Sequence, residues 1–102
     1  MFYGLLRNDV LEIYLQRDKL AGKDVILRGK VVKFSPQIMG KNWLHVQDGT
    51  GDKGTSDLTV TTAAVAKVGD TVLVKGVLTT NKDFGLGYKY DLIIEDAQVT
   101  VE

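Results

Sequence analysis

Trp43 is the single tryptophan of the chain, and it stands two residues before His45, the single histidine. Lys41 precedes them, Lys33, Lys30 and Arg28 lie upstream, and Lys82, Phe84, Tyr88 and Lys89 cluster near the other end. A flat aromatic with basic neighbours has a defined chemistry. The ring stacks on a planar ligand such as a base, at about 1–3 kcal/mol per base, while Lys and Arg meet phosphates. Catalysis has no comparable set. With no cysteine there is no thiol nucleophile, zinc–thiolate site or disulfide, and His45 has no carboxylate and nucleophile at triad spacing. Asp48, Asp52 and Asp57 with Thr50 and Thr55 resemble a cation loop only superficially, because the Asp-x-Asp-x-Asp-Gly spacing and closing Glu are missing. Asp48-Gly49 and Thr50-Gly51 read as hairpin turn chemistry. Gly85-x-Gly87 precedes a strand instead of opening a helix, so it is not a dinucleotide fingerprint. A non-enzymatic protein without metal or cofactor is expected.

These side chains need a scaffold, and 102 residues supply one core. Thirteen basic residues balance thirteen acidic ones, which argues against holding duplex DNA by bulk charge but not against a local basic face. No window approaches the ~18 consecutive apolar residues of a membrane span. Residues 1–7 contain no signal-peptide core.

One helical pattern lies near the start. Asp9 is placed as N-cap with Glu12 three residues on, Val10, Ile13 and Leu20 form an apolar face beside Leu11 and Tyr14, and Gly22 closes the segment. From residue 24 the period becomes two. Val25, Leu27, Gly29 and Val31 share one side of a first strand that Ser35-Pro36 ends; Leu44 and Val46 alternate with Trp43, His45 and Gln47 in a second; Leu58 and Val60 alternate with Thr59 and Thr61 in a third. Residues 62–69 form a connector with room for one helical turn. Val72, Val74, Gly76 and Leu78 mark a fourth strand, a loop covers 81–89, and a fifth strand runs from Tyr90 to about Val101. Mid-strand glycines in the first and fourth strands are the bends a small barrel requires. The pattern predicts an all-β fold, a five-stranded OB-fold Greek-key barrel over 23–102 with an N-terminal α-helix in 1–22 packed on it.

Leu20-Ala21-Gly22-Lys23, Leu27-Arg28-Gly29-Lys30-Val31-Val32 and Val68-Gly69-Asp70 resemble the OB domains of anticodon-binding and helicase proteins. Ile38-Met39-Gly40-Lys41-Asn42-Trp43-Leu44-His45-Val46-Gln47-Asp48-Gly49-Thr50-Gly51-Asp52, Gly54-Thr55, Asp57 to Thr62 and Lys82 to Tyr88 are similar to a bacterial group of OB-fold proteins named for nucleic-acid binding, many of them exported or lipid-anchored. The resemblance spans residues 10–97. It implies an exported or periplasmic setting, although no leader or lipid-attachment cysteine stands in these residues.

In an OB barrel the ligand lies across strands two and three, between the loops joining strands one–two and four–five. Alternation then turns Trp43, His45, Gln47, Thr59 and Thr61 toward it, with Arg28 and Lys30 alongside, Lys33 and Lys41 at the first loop, and Lys82, Phe84, Tyr88 and Lys89 at the second. The expected ligand is single-stranded nucleic acid bound by a monomer. The alternative is a bacterial envelope accessory domain that binds a protein or small ligand on the same face. Trp43 itself either stacks on ligand or packs beneath the helix or a loop, and Phe84 and Tyr88 are either clamps or loop anchors.

Overall fold

A computed structural model describes residues 8–50, 57–85 and 87–102. The expected turn over Gly51–Gly54, Asp52 and Thr55, the segment 1–7 and Leu86 lie outside them. Period-two sequence becomes five strands: β1 (Asp24–Ile38), β2 (Lys41–Gln47), β3 (Leu58–Thr62), β4 (Thr71–Asp83) and β5 (Lys89–Val101). They close in the order β1-β2-β3-β5-β4, with β4 pairing back onto β1. All pairings are antiparallel except β3 with β5, which run parallel. The fold is all-β, a closed five-stranded barrel.

The inward rows are the expected ones. Val25, Leu27 and Val31, Leu44 and Val46, Leu58 and Val60, and Val72, Val74 and Leu78 are all buried in one cluster. β1 serves two partners, β4 along residues 24–30 and β2 along 30–38. Gly29 lies at this handover. A Cβ there would meet the Gln47 carbonyl oxygen at 2.5 Å, a spacing no side chain can share. Gly76 marks the corresponding irregularity of β4, where the register against β5 shifts between Lys75 and Val77. β1 continues past Pro36 to Ile38, further than expected. Pro36 falls within a second register shift, between Ser35 and Ile38, where no regular ladder bond is demanded of its nitrogen.

The helical segment forms as two short pieces, α1 (Val10–Leu15) and α2 (Arg17–Leu20), broken at Gln16. Asp9 caps α1 as expected, its carboxylate accepting the Glu12 N–H at 2.6 Å. Asp48 Oδ2 accepts the Val10 N–H at 2.9 Å and Thr50 Oγ1 accepts that of Leu11 at 3.0 Å. Three of the first-turn donors that a helix leaves open are thereby satisfied. The Asp48–Thr50 turn thus serves the helix as a cap. Val10 and Ile13 are fully buried in the barrel cluster, and their burial fixes the helix as a plug on the barrel. The connector after β3 contains bends and a turn and no helix; its Ala66 joins the core.

Candidate functional site

Trp43 has its face set by β2, where Leu44 takes the inward position and Trp43 the outward one. Yet its ring is only 5% exposed. The indole N–H donates to the Ile38 carbonyl at 2.8 Å. Phe84 stands edge-on at 5.3 Å between centroids, Tyr90 is tilted at 5.5 Å and Tyr88 at 6.3 Å. Strand β3 separates β2 from β5 in the barrel, so two strand spacings, about 10 Å, divide their backbones. Ring contacts across that gap require the end of the β4–β5 hairpin to lean over β3 toward β2. Such offset and edge arrangements contribute about 0.5–1.5 kcal/mol per pair beyond area burial.

This overlay changes the expected ligand face. Thr59 and Thr61, expected to point at ligand, are buried, and so is Ile93, paired with Thr59. Thr61 Oγ1 accepts the Asp96 N–H at 2.8 Å, a structural bond. Of Trp43's two expected roles, packing beneath a loop is the one observed. Phe84 and Tyr88 anchor that packing, and Tyr88 still keeps 38% exposure.

What stays open is a cleft of about 170 Å³ beside the rings. Trp43, Tyr88 and Tyr90 line it with Lys33, Ser35, Ile38 and His45. Lys33 reaches it through a bulge. Val31 pairs with Val46 and Lys33 with His45, so β1 uses two residues where β2 uses one, and Lys33 arrives on the outer face that strict alternation from buried Val31 would deny it. Tyr90 and Ser35 are cleft residues that the sequence did not mark. Tyr90 is the second residue of β5 and shares the parity of core-facing Leu92 and Ile94, and only the lean of the hairpin turns it toward Trp43. Its phenol is pushed above the ordinary range by burial and, secondarily, by Tyr88, so it remains a neutral hydrogen-bonding group at physiological pH.

His45 has a partner after all. Its Nδ1 lies 3.1 Å from Asp57 Oδ2. An ionised carboxylate only accepts, so Nδ1 carries the proton and the remaining ring nitrogen, Nε2, is left for other contacts. Asp57 also holds α1 in place, its backbone carbonyl accepting the Tyr14 hydroxyl at 2.9 Å. Spacing along the chain hid this pair because the antiparallel pairing of β2 with β3, which sets His45 opposite Thr59, brings it together.

The other expected cations are divided among three places. Lys41 pairs with Asp96 at 3.1 Å, and Lys82 lies 3.8 Å from Glu95 with its ammonium 5.1 Å from the Phe84 ring centroid. Lys89 and Lys82 line a separate recess of about 270 Å³ on the hairpin with Asn81, Asp83, Tyr90 and Asp91. Arg28 and Lys30 line another cleft, about 360 Å³, with Gly29, Val32, Gln47, Asp48, Gly49 and Thr71. Among the described residues no group of three or more His, Cys, Asp or Glu side chains could hold a metal ion. Among them, too, no helix is long and apolar enough to cross a membrane.

Comparison with known proteins assigns nothing. No family model matches the chain, and no curated protein matches it. The site is therefore read from its own geometry.

Proposed function

We propose that the chain is an OB-type binding module that takes single-stranded nucleic acid in the cleft beside Trp43. The strand order β1-β2-β3-β5-β4 with one parallel pair, β3 with β5, supports the OB reading. The observation that carries the function is the cleft's composition: Tyr88 and Tyr90 over a Trp43 floor, with Lys33 and His45 on the wall. Aromatic faces accept unstacked bases of any sequence, and the cations take backbone phosphate. Trp43 acts here through the rings it supports, and Tyr88 and Tyr90 present the stacking surface.

Titration of Trp43 fluorescence with short oligothymidines at low salt tests this. Ligand entering the cleft changes the emission of the floor residue, and the affinity falls as salt rises because phosphate contacts release counterions. Tyr90→Ala weakens binding about tenfold, the equivalent of roughly 1–3 kcal/mol for one lost stack. Unchanged emission together with no binding by calorimetry would falsify the proposal.

One observation favours a second reading. The rings already satisfy one another, and Lys41 and Lys82 are paired with acids on the β5 side. That fits a small aromatic ligand or a protein side chain better than a long polyanion. Binding of a neutral aromatic compound without salt dependence, where oligothymidine fails, selects this alternative.

A further inference from the structure

The aromatic cleft and the Arg28–Lys30 cleft are neighbours on the same pair of strands. In the β1–β2 register, Lys30 faces Gln47 and the next pair on that outer face is Lys33 with His45. Lys30 and Gln47 line one cleft, Lys33 and His45 the other. The bulge between Val31 and Lys33 joins them, because it keeps Val32 and Lys33 both exposed at the junction. From Arg28 to Ser35 the outer edge of β1 covers roughly 20 Å at strand rise.

Charge distinguishes this direction from the opposite one. Toward β5, Lys41 and Lys82 are matched by Asp96 and Glu95, and Thr59 and Thr61 are covered. Along β1, Lys30 and Lys33 have no carboxylate within 4.0 Å among the described residues. The carboxylate in this groove, Asp48, is engaged: Oδ2 accepts the Val10 N–H, and Oδ1 accepts the Thr50 N–H and hydroxyl. At the far end Arg28 is bound through Nε by the Glu102 carboxylate, in the place where a phosphate oxygen would sit.

We infer that the two clefts form one continuous groove, and that a nucleic-acid strand anchored by a base at Tyr88 and Tyr90 runs along β1 over Lys33 and Lys30 to Arg28, where its phosphate displaces Glu102. The inference rests on the proposed function and adds the path, the direction of extension and the length dependence of binding. Val32 lies open between the cations as an apolar contact for a base or sugar.

The test compares an oligothymidine dinucleotide with an octanucleotide by fluorescence titration over a salt series. Lys30→Ala and Arg28→Ala leave dinucleotide affinity unchanged and weaken the octanucleotide several-fold, each reducing the salt slope by about 0.7, the share of a single phosphate. Glu102→Gln strengthens the octanucleotide alone. Tyr90→Ala weakens both lengths. If the octanucleotide binds and neither Lys30→Ala nor Arg28→Ala alters its affinity or salt slope, the path along β1 is overturned while the aromatic site stands. Equal effects of these variants on both lengths overturn it too, since the cations would then act on the anchor. If neither length binds, the functional proposal fails and this inference with it.

Discussion

Leu44 and Trp43 are adjacent on β2 and face opposite ways, and their surroundings differ in kind. Leu44 lies in the barrel among aliphatic side chains supplied by all five strands and α1. Trp43 belongs to a separate outer layer of Phe84, Tyr88 and Tyr90, all from one hairpin. The inner layer is closed around by the ring of strands and plugged by α1. The outer layer is closed on one side and bounded by an open cleft on the other. Aliphatic burial thus supports the fold, while Tyr88 and Tyr90 border an open cleft above the buried Trp43 ring.

The largest break in that comparison comes from inside. Leu44→Ala lowers unfolding free energy by about 2–5 kcal/mol, the usual cost of a core cavity, and urea denaturation reads it as a lower midpoint at unchanged slope. Gly29→Ala costs about 1–3 kcal/mol through forced separation of β1 from the Gln47 carbonyl, again measured by urea midpoint. A smaller effect belongs to the outer layer. Phe84→Ala removes two edge-on pairs, with Trp43 and with Tyr90, at about 0.5–1.5 kcal/mol each, but raises acrylamide quenching of Trp43 clearly, where Leu44→Ala measured under native conditions does not. If Phe84→Ala costs as much as Leu44→Ala, the two layers are one cooperative core and the comparison fails.

The smallest effect is on pH dependence. The Tyr14 phenol is raised above its ordinary range by burial first, then by Asp57 and Asp91. Folding therefore favours the protonated phenol. Its contribution is fully present below the unfolded tyrosine pKa of about 10 and is lost as pH rises through the higher folded value. Tyr14→Phe retains the ring, loses the bond to the Asp57 carbonyl, and flattens this alkaline loss of stability, as thermal melts between pH 8 and pH 11 would register.

Alternation in the sequence located the strands and their inward rows, because a half-buried strand must segregate apolar residues at period two. Asp9 was legible as a cap for a similarly local reason. Other features were not. Asp48 and Thr50 read as a hairpin turn because their partners, Val10 and Leu11, lie 38 and 39 residues away. Thr59 and Thr61 read as exposed because alternation assigns a face and says nothing about what covers it. Lys33 arrived on the outer face only through a bulge, which shifts the period without changing the composition. Arg28 and Lys30 lie further along β1 than the aromatic cleft, one outer-face pair beyond Lys33 and His45, a separation that alternation alone does not show.

The sequence by itself determined the class of fold and its core, since these follow from residue type at fixed short spacing and from glycine where backbones crowd. The tertiary structure alone decided which aromatic rings meet, which histidine–aspartate pair forms and which lysines are already matched by acids. Those depend on where the β4–β5 hairpin leans and how the barrel closes, and both join residues tens of positions apart that no local pattern links.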